Sequence, residues 1–328
     1  MNYLKNAWSL FDNYFLARLQ RRPSTAQFWY LPEPPTIHTD NDLRHYKQAK
    51  TSPLYLIDYR EKLPYKLENS KGIIVLYYNK LIGRQINPEA AFQYALGLHD
   101  QFQLSQDQSY LEKFWHYANY FQSEQTADGL WEYSFDWYGS KAPWYSALAQ
   151  SRGASVMLRA WLHSGKDHYL QAAKNAIQKF TIPTSQGGFL HEFEPEKCTY
   201  FEEYPNTPTG VINGFMAALM SIWELKYWIG EKWLDDLWQG GIQSLEKMLP
   251  YYTTNWWSLY DLDKQTPIAN VNSPRYHLLE IHYLKILSIL SNSLLIEEEY
   301  IKRMKQYEHP MSKLRAFFLK SIRKILYK

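Results

Sequence analysis

From Asn87 onward, apolar residues recur at helical spacing in segments that come in pairs, and this pairing limits the fold more than any other feature of the chain. The pairs cover roughly 87–103 with 107–123, 145–164 with 167–181, 209–229 with 232–249, and 276–292 with 296–308. Between pairs lie turn residues followed by aromatic, strand-like runs: Asp128-Gly129-Leu130-Trp131-Glu132-Tyr133, Gly187-Gly188-Phe189-Leu190-His191-Glu192-Phe193, and Asn255-Trp256-Trp257-Ser258-Leu259-Tyr260. The period is roughly 60 residues, longer than common solenoid repeats. Helical hairpins joined by such loops predict a mainly α fold, an incomplete (α/α) toroid whose loops converge on a cleft at one end. Asn87 before Pro88 is a capping side chain followed by proline at a first helical position, and Ser105 and Asp167 are placed to cap later helices.

The N-terminal part reads differently. Residues 22–85 carry Pro-rich loops such as Leu31-Pro32-Glu33-Pro34-Pro35 and short runs, Tyr55-Leu56-Ile57 and Gly72 to Tyr78, that read as strands. Met1 to Arg22 has helical spacing, but Asp12 and its polar neighbours break any continuous apolar stretch, so it reads as an amphipathic helix packed on the body rather than a signal peptide or a membrane span. The expected division is a helix and β-containing region over 1–85 and the toroid over 86–328. At the far end Leu, Phe and Ile alternate with Lys313, Arg315, Lys320, Arg323, Lys324 and Lys328. A helix of that kind is either a solvated terminus or a peripheral contact with an anionic membrane.

Composition narrows the function. A chain of 328 residues holds 13 Trp and 28 Tyr, more rings than a core of this size needs, and such rings stack on sugar faces while their polar edges meet hydroxyls. A formal charge of +3 is too small for a nucleic-acid footprint yet compatible with an acidic glycan. The single cysteine, Cys198, forms no internal disulfide and has no metal-site spacing, which suits a reducing, cytoplasmic compartment. No HExxH, Cys/His or EF-hand pattern and no dinucleotide fingerprint is present, so the expected chemistry uses side chains alone, without cofactor or metal.

Three separated segments then stand out: Phe201-Glu202-Glu203-Tyr204-Pro205, Ser258-Leu259-Tyr260-Asp261-Leu262 and Arg275-Tyr276-His277. They offer a carboxylate and three phenols that could serve both faces of a sugar ring, the inventory of a uronic-acid epimerase. These stretches resemble the C-terminal region of the D-glucuronyl C5-epimerases, which turn D-glucuronate into L-iduronate within heparosan-type chains. Trp144-Tyr145-Ser146-Ala147-Leu148-Ala149-Gln150 is similar to the family's WYSAMAQG, with Ser151 in place of glycine. Glu202 to Pro208 resembles EEYPTTP, and after a one-residue deletion Val211-Ile212-Asn213-Gly214-Phe215-Met216 resembles VLNGFM. Tyr260-Asp261-Leu262 and Tyr276-His277 match its YDL and DYH segments. The resemblance implies catalytic roles for Glu203, Tyr204, Tyr260 and Tyr276, an α/α toroid behind a β-rich N-terminal part, and homodimerisation. Two positions depart: Asp263 stands where vertebrate relatives have an arginine facing the uronate carboxylate, and Glu280 stands where a histidine is usual.

Inverting C5 without redox means removing the proton α to the carboxylate and returning one to the opposite face, which takes two groups on opposite sides. Glu203 is the natural base and Tyr276 the opposing group, with Tyr260 and Tyr204 donating to the developing aci-carboxylate. Glu202, adjacent in an extended segment, points the other way. Arg275 is the first candidate to neutralise the substrate carboxylate, followed by Lys264 and Arg152; His277, Tyr145, Gln150, Asn213 and Trp131 complete the expected substrate contacts. A polysaccharide lyase, sharing the proton abstraction, and a non-catalytic glycan-binding module are the competing functions.

Overall fold

The computed structural model describes residues 28–29, 52–137, 139–263 and 266–327. The helix expected over 1–22, the Leu31–Pro35 loop and Lys264 lie outside these.

Four helical hairpins form the body: α1 (Pro88–Ser105) with α2 (Gln108–Glu124), α3 (Ala147–Ser164) with α4 (Asp167–Gln178), α5 (Ile212–Ile229) with α6 (Lys232–Met248), and α7 (Pro274–Ser291) with α8 (Leu294–Glu308). Their first members pack on one another in the order α1, α3, α5, α7, while each second member packs outside its partner. This is an incomplete (α/α) toroid, as the pairing predicts.

Burial explains which helix goes where. An inner helix meets neighbours on nearly every side, so it must be apolar, small or internally paired all round. Fourteen consecutive residues of α5, Ile212 to Leu225, are buried. An outer helix buries one stripe: in α2 it is Phe114, Tyr117, Ala118 and Phe121. Several charged groups that reach the interior are paired. Arg159 bridges to Glu224 at 2.8 Å, and Arg152 meets Glu89 at 3.0 Å while donating to the phenols of Tyr59 and Tyr283.

The caps follow the expectation at Asn87, whose side chain accepts from the Ala90 N–H, and depart from it twice. Ser105 belongs to the last turn of α1, where it donates to the Gln101 carbonyl, and Asp107 caps α2 instead. Asp167 is already helical, preceded by Lys166 at the cap position.

Before α1, β1 (Leu76–Tyr77) pairs antiparallel with β2 (Arg84–Gln85). Between α4 and α5, β3 (Leu190–Phe193) pairs with β4 (Cys198–Phe201). The aromatic runs at 128–133 and 255–260 form isolated bridges rather than full strands, Tyr133 with Trp144 and Leu259 with Val271.

The chain closes on α9 (Pro310–Tyr327). Lys313 lies over the Tyr307 ring and Arg315 over Trp256, while Met311, Leu314, Phe317, Phe318 and Ile322 are exposed. No helix among the described residues is long and apolar enough to cross a membrane.

Candidate active site

The loops that leave the outer helices carry the site residues, and the N-terminal turns of the inner helices face them. Glu203 and Tyr204 follow β4. Tyr260 sits on a loop hairpin whose sides are joined by Tyr260 N–H to the Asn270 carbonyl at 2.7 Å and Asn272 N–H to the Ser258 carbonyl at 3.0 Å. Two bonds stitch these loops together: the Tyr252 hydroxyl donates to the Gly210 carbonyl at 2.8 Å, and the Leu262 N–H to the Thr209 carbonyl at 2.9 Å. Tyr276 lies in the first turn of α7, where Ser273 caps its N–H.

Glu203 is packed against the start of α5. Its carboxylate accepts from the Gly214 N–H and the Tyr204 phenol, its backbone carbonyl accepts from Ala147 N–H at the start of α3, and its Oε2 is buried without a hydrogen-bond partner. Burial pushes the carboxyl up to about 7, with the Tyr204 hydrogen bond pulling against it. Gly214 has to be glycine for this: a Cβ there would stand 2.6 Å from Glu203 Cβ. Beside it, Asn213 is buried with neither amide atom hydrogen-bonded.

Burial also holds the phenols of Tyr204 and Tyr260 well above their ordinary range, reinforced in each case by the Glu203 charge, so both stay protonated donors. The Tyr260 ring meets Tyr276 edge to face at 5.4 Å. Glu203, Tyr204, Tyr260 and Tyr276 thus form one continuous group, buried at Glu203 and opening to solvent at Tyr276, which is 40% exposed.

Glu202 turns the other way, as expected of an adjacent extended residue. It accepts from the Tyr200 hydroxyl at 2.8 Å and the Gly210 N–H at 2.8 Å, fixing the loop. Tyr145 is half-buried, edge-on to Phe189 at 5.4 Å, in the segment next to Glu203. Arg275 lies within electrostatic reach of Glu61 and Lys62, residues that approach from the N-terminal part.

Three expected substrate contacts are corrected, because their polar atoms are already used in the core. Trp131 is buried, its Nε1 donating to the Phe121 carbonyl at 2.7 Å. Gln150 is fully buried, bridging the Trp131 N–H and the Gly129 carbonyl. His277 stacks on Trp257 at 3.8 Å; its Nε2 donates to the Arg303 carbonyl at 3.1 Å, which leaves Nδ1 to accept from Ser258 at 2.6 Å. Burial pushes the His277 imidazole down to about 3, so it is neutral. Arg152 is likewise enclosed by Glu89 and two phenols. The two departures are also accounted for locally: Asp263 pairs with Arg323 at 3.1 Å, and Glu280 is buried against Arg303 and Asn272.

The D-glucuronyl C5-epimerase C-terminus family matches residues 124–308, over half of the chain. The chain belongs to that family. A D-glucuronyl C5-epimerase of Caenorhabditis elegans is 34% identical over 157 residues, 43% of this chain and 25% of the relative. An uncharacterized protein of Methanocaldococcus jannaschii is 27% identical over 183 residues, 54% of this chain and 56% of its own. The chain therefore spans about a quarter and about half of these two curated relatives. Among solved structures, an unsaturated glucuronyl hydrolase from Bacillus sp. GL1 superposes with a TM-score of 0.45 at 14% identity, covering 70% of this chain and 60% of that one.

For a member of the D-glucuronyl C5-epimerase family, the site includes residues that sequence reasoning missed. Trp144 lies 6.2 Å from Tyr204 and stacks on Tyr133 at 3.8 Å. Glu89, in the first turn of α1, adds its charge to both Glu203 and Tyr133; burial pushes its carboxyl up to about 7 against the pull of Arg152. Trp144 was within a recognisable segment, but nothing in the local pattern of Glu89 distinguishes it from an ordinary first-turn acid. Among the described residues, no group of three or more His, Cys, Asp or Glu is placed to hold a metal.

Proposed function

We propose that this chain is a polysaccharide C5-epimerase that converts D-glucuronate to L-iduronate within a heparosan-like glycan. The observation that carries the proposal is the joining of Glu203, Tyr204, Tyr260 and Tyr276, from three distant segments, into one group with a buried carboxyl at one end and an exposed phenol at the other.

A carboxyl held near neutrality exchanges protons readily at neutral pH, which suits general acid–base work. Glu203 takes the C5 proton from one face and Tyr276 returns one to the other, or the reverse for the back reaction. As the C5–H bond breaks, its electron pair spreads into the substrate carboxylate. Tyr204 and Tyr260, kept protonated by burial, donate to that charge. The first turns of α3, α5 and α7 meet the group through Ala147, Gly214 and Tyr276, and the positive dipole ends of those helices favour negative charge. Arg275, in the first turn of α7, supplies a cation on the exposed side.

The test is incubation of a glucuronate polymer in deuterated water. Deuterium at C5 together with iduronate supports epimerisation. Unsaturated chain ends would assign a lyase instead, and binding without exchange would leave a glycan-binding module.

A further inference from the structure

The inward side of α9 reaches the candidate active site. Lys320 places its ammonium 4.6 Å from the centroid of the Tyr260 ring and donates to Asn270 Oδ1 at 2.6 Å. Asn270 is also the residue whose carbonyl accepts the Tyr260 N–H at 2.7 Å. One turn further, Arg323 reaches Asp263 at 3.1 Å and donates to Thr266 Oγ1 at 2.6 Å and the Ile268 carbonyl at 3.2 Å. One turn earlier, Ala316 is buried against Trp257 and Val271. Successive turns of the terminal helix therefore hold both sides of the Tyr260 hairpin, and at Lys320 a cation meets the ring of a site residue.

We propose that Lys320 is a positioning residue for the reaction proposed above: its charge holds the face of Tyr260 and strengthens that phenol as a donor to the developing aci-carboxylate. A cation over an aromatic face is attracted by the ring's negative quadrupole. When the phenol shares its proton with a growing negative charge, electron density on the ring rises and the attraction to Lys320 grows with it. A contact that is stronger in the transition state than in the ground state raises kcat rather than affinity. The largest charge effects on Tyr260 come from Glu203, Tyr276, Asp261 and Glu280, all acidic groups that work against a phenolate-like ring. The nearby guanidiniums are engaged elsewhere, Arg323 with Asp263 and Arg303 with Glu280. Lys320 thus supplies, through the ring, positive charge beside the segment where Asp263 stands.

The experiment measures C5 hydrogen exchange against substrate concentration in full-length Lys320→Met, Lys320→Gln and Lys320→Arg chains, with thermal unfolding as the check on folding. Gln keeps an N–H donor for Asn270 without charge, so it separates the hydrogen bond from the cation. The Met and Gln variants are expected to lose about tenfold in kcat with KM within about twofold, while Arg keeps most of the rate. A Gln variant at the unmutated kcat, an Arg variant as slow as Met, or a rise in KM at constant kcat would each overturn the role. Should Met unfold, the Gln and Arg pair decides the matter alone. If the unmutated chain gives no exchange on any glucuronate polymer, the proposed epimerase function itself fails and this role fails with it.

Discussion

Gly214→Ala probes the packing of the candidate site with a single methyl group. The added Cβ would stand 2.6 Å from Glu203 Cβ, 2.7 Å from Cγ and 2.9 Å from Oε2. Carbon atoms in contact rest at about 3.5–4.0 Å, so the Glu203 side chain must retreat by about 1 Å. The helix does not resist the change. Alanine is the better helix former by about 1 kcal/mol, which offsets part of an overpacking cost of about 1–3 kcal/mol. The fold should survive with a thermal midpoint moved by only a few degrees. Catalysis is less tolerant, because a displacement of about 1 Å at a reacting group costs about a hundredfold in rate. The assay pairs C5 deuterium exchange on a glucuronate polymer with thermal unfolding followed by circular dichroism. A folded Gly214→Ala chain that exchanges at the unmutated rate would refute the placement of Glu203 at the reacting carbon.

Glu203→Gln and Tyr276→Phe should each abolish exchange while leaving glycan binding largely intact; near-normal exchange in either removes that residue from the mechanism. Because burial holds Glu203 at about 7 and the base must be ionised, the rate should rise with pH through about 7 and fall about tenfold per unit below it. An acid limb centred near the ordinary 4.5 would show that burial does not govern this carboxyl. The outward face of α9, apolar and on a helix with no acidic residue over 310–327, predicts co-sedimentation with anionic vesicles that weakens as salt rises and is lost on replacing Phe317 and Phe318 with Ser. A chain that stays in the supernatant at low salt rules that surface out.

Much of the architecture was legible because helical hairpins announce themselves locally. A stripe such as Phe114, Tyr117, Ala118 and Phe121 repeats every turn, and an inner helix such as α5 shows as a long apolar run interrupted by Asn213, Ser221 and Glu224. Boundaries were less legible. Ser105, Asp107 and Asp167 are all plausible caps, and only the course of the backbone selects Asp107. The same limit applies to the loops. Trp131, Gln150 and His277 sit in segments flanking a cleft, yet each spends its polar atoms on backbone groups or a hydroxyl from elsewhere in the chain. Neither the distance from Glu89 to Glu203 nor the reach of Lys320 to Tyr260 leaves a trace in spacing, since these pairs are more than fifty residues apart.

By itself, the order of residues determined that paired helices would build this protein and that one carboxyl and three phenols would be available for chemistry, because periodicity and side-chain type are local properties. Only the tertiary structure decided their state. Whether Glu203 is buried against Gly214, whether Tyr260 is backed by a cation from the terminal helix, and whether His277 meets a sugar or a carbonyl all depend on which distant surfaces exclude water around them, and solvation is a property of the assembled fold.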